Sequence, residues 1–207
     1  MARAASETEA ANGALAEIGE PPIASLSEPR AAARACKRRF ADVRDALLRE
    51  ADWNFATAWM VLSADPVPAI GPLKHRFVLP PDCVKVRFVE GLGTDDWALE
   101  ASSTVPTSSP SLGGVLVTNA TAPKICYTRI IEQPALWDAL FLVVFQKRLG
   151  AAIAPTIGRS QSTAGRLNGE AAALLKPAKR KDSQEKARTQ LPRETSWLAA
   201  RRGGRPQ

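Results

Sequence analysis

The run from Ser27 to Trp59 constrains the fold more than any other part of the chain. Apolar side chains recur in it at steps of four, three and four residues, at Cys36, Phe40, Val43 and Leu47. This spacing places them on one face of an α-helix, while charged residues such as Arg44 fill the opposite side. The run closes with three aromatic residues, Trp53, Phe55 and Trp59. The sequence therefore predicts a long central helix, residues 28–60, whose aromatic end is a docking point for other elements.

The positive charge of the chain is concentrated at its C-terminal end. The 207 residues include 28 basic and 21 acidic side chains. Residues 1–175 carry 18 of each, whereas residues 176–207 carry 10 basic and 3 acidic side chains. We therefore expect a neutral globular body, residues 1–178, followed by a basic C-terminal arm, residues 179–207. A body of this size can bury a core without disulfides or metal ions.

Composition gives no sign of a membrane protein or a secreted protein. The longest uninterrupted apolar run, Ala139 to Phe145, is far shorter than the roughly 20 residues of a membrane helix. The first residues lack the apolar core of a signal peptide. Three cysteines, an odd number, lie far apart at apolar positions, so we expect buried thiols in a reducing compartment.

Local patterns predict three further helices. Ser6 and Glu9 have the spacing of a capping box, which begins a helix over residues 6–18. Pro134 is expected to open a second helix, residues 134–154, which is apolar almost all round and should be the most buried element. The last helix is predicted over residues 160–176, because Pro177 should kink or break it.

The region between the second and third helices has the patterns of short strands. Val84, Val86 and Phe88 alternate with basic residues, which is typical of a half-buried strand. The strands predict a small antiparallel β subdomain over residues 74–131. The expected fold class is α+β: a helical bundle of long central, buried and C-terminal helices, with the β subdomain inserted and an extended C-terminal arm.

No catalytic, cofactor or metal site is predicted. His75 is the only histidine, so a metal pair of histidines is excluded and a structural role is expected for it. Asp95 and Asp96 are adjacent acids after a glycine, a pattern more typical of a turn than of a glycosidase pair. Gly113 and Gly114 lack the strand and helix context of a phosphate-binding loop.

Four local patterns follow one another along the chain and together carry a resemblance. They comprise Ala14-Leu15 with Ile18-Gly19, Arg44 to Leu48 with Trp53 to Ala56, Leu79 to Val86, and Tyr127 and Arg129 with Asp138 and Phe141. In this order and spacing they resemble the head–tail connector (adaptor) proteins of tailed bacteriophages, most closely the tail tubular protein A type. The resemblance covers residues 11–178 and is absent from residues 102–114 and from the end of the chain.

The resemblance implies a structural protein and not an enzyme. Proteins of this type form a ring, usually of twelve copies, between the portal protein and the tail nozzle protein. Double-stranded DNA passes through the ring lumen, and the ring helps to retain the genome after packaging. The resemblance places the chain at the head–tail interface of a virion that is assembled in the host cytoplasm, with no cofactor and no membrane contact.

Two segments outside the resemblance are predicted to contact partners. The Ser-, Thr- and Pro-rich loop after Ala101 cannot build a core of its own, so we expect it to contact a neighbouring subunit or the nozzle. Its contact residues would be Ser102, Thr104, Thr107, Ser109 and Leu112. The basic arm is expected to dock on the portal, with an aromatic anchor and salt-sensitive arginines. Its contact residues would be Arg193, Trp197, Leu198, Arg201, Arg202 and Arg205.

Other interpretations stay open at this stage. Trp197 could fold back onto the last helix of its own subunit. The basic arm could make the chain a non-specific nucleic-acid-binding protein, which would shift duplex DNA at physiological salt. A virion-associated glycosidase would instead lose its activity on replacement of Asp95 or Asp96 by asparagine.

Overall fold

The computed structural model describes residues 4–101 and 114–185, with side chains as far as residue 176. Its four α-helices are α1 (Glu7–Glu17), α2 (Ala31–Glu50), α3 (Ala139–Ile153) and α4 (Gln161–Glu185). Its seven strands are β1 (Thr57–Val61), β2 (Ser63–Ala64), β3 (His75–Val78), β4 (Cys83–Val89), β5 (Trp97–Ala101), β6 (Gly114–Thr118) and β7 (Lys124–Arg129). Short 3₁₀ helices lie at Asn54–Ala56, Pro134–Leu136 and Ala154–Ile157. The α+β class expected from the sequence is confirmed.

Helix α3 is the centre of the helical body, because α1, α2 and α4 all pack against it. Its residues Phe141, Phe145 and Leu149 are fully buried, as its all-round apolar pattern predicts. The helix begins at Ala139 and not at Pro134, which starts a separate 3₁₀ turn. Asp138 sets this start, because its carboxylate accepts the backbone N–H of Leu140 at 2.8 Å.

Helix α1 follows its sequence signals closely. The Ser6 hydroxyl accepts the backbone N–H of Glu9 at 3.2 Å, which caps the helix as predicted. Gly19, at a φ of 70°, lies just past its end, where a left-handed residue turns the chain away. The Asn12 side chain then binds both backbone groups of Ile23, so the proline-containing link stays against the body.

The prediction of a helix over residues 28–60 is wrong at both ends. Helix α2 begins at Ala31, without a side-chain cap, and ends at Glu50. The chain then becomes extended at Ala51, and Trp59 lies in strand β1 instead of on a helix. The reason is tertiary: Thr57–Val61 is rich in β-branched and aromatic residues, and it finds a strand partner in β7.

The apolar face predicted for α2 is confirmed, but its opposite side is not all solvent-exposed. Cys36, Phe40 and Leu47 are buried. Arg44, which the pattern assigned to the charged side, is also buried, and its Nε donates to Asp45 at 2.7 Å. A buried guanidinium needs such a partner, so this pair explains how the arginine is tolerated.

Helix α4 continues through Pro177 as far as Glu185, so the predicted end at residue 176 is wrong. A proline inside a helix removes one backbone hydrogen bond, but it does not forbid the turns on either side. The residues after it are mostly Lys, Arg, Gln and Glu, which favour helix. The helix therefore carries the chain into the segment assigned to the basic arm.

The β part consists of two antiparallel sheets with a common core. One sheet has the strand order β1-β7-β4 and the other has the order β2-β3-β6-β5. Only Leu62 separates β1 from β2, so the chain passes there from the first sheet to the second. Buried residues from both sheets, including Phe77, Leu116 and Ile125, form one cluster. The β part therefore begins at Thr57, earlier than the predicted residue 74.

One stretch of the described residues, Ala139–Ile157, is long and apolar enough to cross a membrane by length and composition alone. It is longer than the apolar run recognised in the sequence because it continues past Lys147 and Arg148. Half of it is buried inside the fold, and Lys147 forms ion pairs with Glu17 and Glu170. A buried core helix of a soluble protein passes the same test, so the stretch is weak evidence for a membrane span.

Candidate interaction surfaces

His75 and Asp96, which were candidates for catalytic residues, have structural roles in the fold. His75 lies half-buried in β3, and its ring centroid is 6.4 Å from that of Phe77. The Asp96 carboxylate accepts the backbone N–H of Gly93 at 2.8 Å, which is the turn role that the sequence indicates. Within residues 4–101 and 114–176, no group of three His, Cys, Asp or Glu side chains could hold a metal ion.

The three cysteines are buried free thiols, as expected. Burial raises the pKa of Cys36 to about 11. Burial, together with the negative charge of Asp82, raises the pKa of Cys83 to about 12. Both thiols therefore stay protonated near neutral pH, whereas the thiolate is the reactive form of a cysteine.

Exposed apolar side chains cluster on the β part. Seven large hydrophobic residues are exposed within the described ranges: Trp59, Met60, Val61, Ile70, Phe88, Leu99 and Leu136. Three of them lie on β1 and one on β5. Phe88 packs edge-to-face on Trp59 with 5.3 Å between ring centroids, and the Lys124 ammonium lies 5.1 Å from the Trp59 ring. Apolar groups concentrated in this way are typical of contact surfaces.

One buried arginine of β4 joins the start of strand β1 to β7 and to the segment that precedes β1. The Arg87 guanidinium donates to the hydroxyl of Thr57 at 2.8 Å, to that of Thr128 at 2.8 Å and to the carbonyl of Trp53 at 2.7 Å. Its side chain is only 3 % exposed. Charge-assisted hydrogen bonds of this kind are strong, so Arg87 stabilises the position of Thr57 at the start of β1.

Helix α2 presents a positively charged face to solvent. Arg34, Lys37 and Arg38 are exposed and lie within one arc of the helix. None of the three forms an ion pair with a carboxylate in the described part of the chain. They form a local basic surface, although residues 1–175 as a whole carry equal numbers of basic and acidic side chains.

The partner-contact residues expected from the sequence lie outside the described residues. This holds for the loop residues Ser102, Thr104, Thr107, Ser109 and Leu112. It holds equally for the arm residues Arg193, Trp197, Leu198, Arg201, Arg202 and Arg205. Both expectations stay predictions.

Sequence reasoning missed the exposed strand β1. It also placed Phe88 on the buried side of its strand, which is wrong: after an irregularity between Val86 and Phe88, the Arg87 side chain is buried and Phe88 is exposed. The available signal was the composition of Thr57–Val61, which favours strand over helix. Because a helical apolar pattern precedes this segment, it was assigned to the same helix instead. Which strand edges are free could not be predicted, since that depends on the order of strands in the two sheets.

Comparison with known proteins does not assign this chain to a family. Neither a protein-family model nor a curated protein sequence matches it. Its function is therefore inferred from its own residues and their arrangement.

Proposed function

We propose that the chain is a structural head–tail connector of a phage-like particle. The observation that supports this proposal is the meeting of all four resemblance patterns in one buried core. Leu15, Trp53, Val84 and Phe141 each come from a different one of these patterns and share that core. The four patterns therefore belong to one structural body, as the patterns of a connector subunit would.

In this proposal the protein acts by contact alone. About twelve copies form a ring between the portal protein and the tail nozzle protein, and DNA passes through its lumen. The residue 102–113 loop contacts a neighbouring subunit or the nozzle, and the basic arm docks on the portal. The protein performs no catalysis and uses no cofactor, and it acts at the head–tail interface of the virion.

The proposal predicts a monomer that assembles only on the portal. Segments that become ordered on binding lose conformational entropy, so the free subunits gain too little from one another to form a ring. Light scattering on the full-length protein should give the mass of one chain, and addition of the portal protein from the same genome should give a multi-subunit complex. A stable ring in the absence of portal would show that templating is not required.

A second candidate function is non-specific binding of nucleic acid. The basic face of α2, with Arg34, Lys37 and Arg38, adds to the basic arm as an attraction for phosphates. This function requires the isolated protein to shift duplex DNA at physiological salt. The connector proposal expects no shift by the isolated protein under those conditions.

A further inference from the structure

Two strands of equal length each end a sheet with one side unpaired. Strand β1 pairs only with β7, and strand β5 pairs only with β6, among the strands that the structure describes. Each strand has five residues. Each therefore offers a row of backbone N–H and C=O groups along its outer side, which is a template for pairing with another chain.

These two edges lack the usual protection against pairing. Natural edge strands are blunted by lysine, proline, bulges or inward-pointing charges. Strand β1 contains no charged residue and no proline. The only charge on β5 is Glu100, and that carboxylate lies 3.6 Å from the guanidinium of Arg76 on β3, the strand on the other side of β6. Trp59, Met60, Val61 and Leu99 instead leave apolar side chains between 41 % and 58 % exposed on these edges.

The two free edges belong to different sheets: β1 ends the three-stranded sheet and β5 ends the four-stranded sheet. Strand β2, which continues β1 after Leu62, is at one end of the four-stranded sheet, and β5 is at the other end. Three strand spacings separate those ends, which is about 14 Å. One copy can therefore present its β1 edge to one neighbour and its β5 edge to another. A contact between two different patches is heterologous and repeats into a ring when its rotation closes.

We propose that neighbouring copies of this chain join by pairing the β1 edge of one copy with the β5 edge of the next. Each free edge thus binds a second copy of the chain. The contact is a β-strand addition, and the exposed apolar side chains of the two strands pack next to it. The equal lengths of the strands allow both to be paired in full. This inference rests on the proposed ring and names the contact that builds it.

A five-residue strand pair is a small contact. Stable protein interfaces bury about 1,200–2,000 Å², which one such pair does not reach without further contacts. The pairing is therefore weak between free subunits and becomes effective when the portal holds neighbours at high local concentration. This agrees with a chain that assembles only on its portal.

Cysteine cross-linking tests this contact. Met60→Cys lies on β1 and Leu99→Cys lies on β5, and both positions are exposed. The three native thiols are buried, so a flexible bis-maleimide should react at the introduced cysteines alone. The full-length double variant should give a ladder of cross-linked multimers, strongly on the portal and weakly at high concentration without it. Neither single variant should form cross-linked dimers.

The possible outcomes distinguish failure of the β1–β5 contact from failure of the proposed connector function. Portal-bound rings without a ladder would overturn the β1–β5 contact and leave the connector function standing. A ladder without portal binding would support the contact and overturn the connector function. Dimers of the Met60→Cys variant alone would reveal a two-fold contact and contradict the heterologous one.

Charged substitutions give an independent measurement. Val61→Lys and Leu99→Lys each place a lysine on a free edge, which should prevent assembly on the portal and leave the melting midpoint of the monomer unchanged. Ile70→Lys is the matched control, since Ile70 is 92 % exposed and belongs to neither edge. Assembly of both edge variants at the level of the control would refute the proposal.

Discussion

Among single residues, Lys147 of α3 forms ion pairs with two other helices of the body. Its ammonium lies 3.0 Å from the Glu17 carboxylate of α1 and 2.8 Å from the Glu170 carboxylate of α4. The hydrogen bond that the Lys147 ammonium donates to Glu170 raises the pKa of Lys147. The same bond, with a second one from Arg166, lowers the pKa of Glu170. The cluster therefore holds three of the four helices together by charge.

This cluster makes stability depend on pH in the acidic range. A carboxyl whose pKa is lower in the folded state contributes stability above its unfolded pKa, and this is lost as pH falls through the folded pKa. For Glu170 the unfolded value is close to 4.5. Lys147→Met should therefore flatten the decline of the melting midpoint as pH falls from about 5 to about 3.

Thermal unfolding at a series of pH values measures this effect. Lys124→Met is the control, because Lys124, on strand β7, forms an exposed ion pair with Glu90. The control should keep the acid profile of the parent protein. Parallel profiles for the parent and the Lys147→Met variant would mean that the cluster is not an important source of acid sensitivity.

At the scale of elements, α1 and α3 approach each other closely at Gly150. A Cβ atom added there would lie 3.1 Å from the Ala14 carbonyl oxygen of α1 and 3.3 Å from a methyl group of Leu167 on α4. The carbonyl belongs to a helix backbone, which cannot move away without disturbing α1. The absence of a side chain at this position therefore sets the spacing of α1 and α3.

Two glycine-to-alanine substitutions test this packing. Gly150→Ala should lower the free energy of unfolding by about 1–3 kcal/mol, because it overfills a close contact. Gly165→Ala is the matched control in α4, where an added Cβ meets no atom within 4 Å. It should raise stability by about 0.5–1 kcal/mol, since alanine favours helix over glycine. Urea unfolding measures the free energy of unfolding of both variants. An equal gain in stability for the two substitutions would disprove the close packing at Gly150.

The elements that local sequence determines were predicted well. Helix α1 has its cap at Ser6 and its stop at Gly19, as predicted. Helix α3 is apolar on nearly all sides, so its burial was predictable. The segment after Glu50 was not predicted, because Trp59 continues an apolar pattern that suits a helix but pairs with β7 in the fold. Local sequence could not reveal this pairing, since its partner lies more than 60 residues further along the chain.

At the scale of the whole molecule, a neutral body carries a basic arm, and two kinds of attraction are available to that arm. Exposed arginine pairs contribute about 0–1 kcal/mol each and are screened by salt. A tryptophan buried in a partner's pocket contributes about 2 kcal/mol or more. We therefore expect Trp197, with Leu198, to be the anchor on the portal and the arginines to govern encounter and orientation.

Two substitutions in the arm test this division of roles. Trp197→Ala should weaken portal binding more than Arg201→Ala does, and it should not change the melting midpoint of the monomer. Only the loss caused by Arg201→Ala should shrink as the salt concentration rises. A lower monomer midpoint with unchanged portal binding would show that Trp197 packs on its own subunit instead.

The central claim is that this chain forms a ring on a portal. Negative-stain imaging of the full-length protein mixed with the portal protein from its own genome tests it most directly. We expect an added ring of density, with about twelve-fold symmetry, on one face of the portal and no rings in the protein alone. Portal particles that remain bare at saturating protein concentration would contradict it.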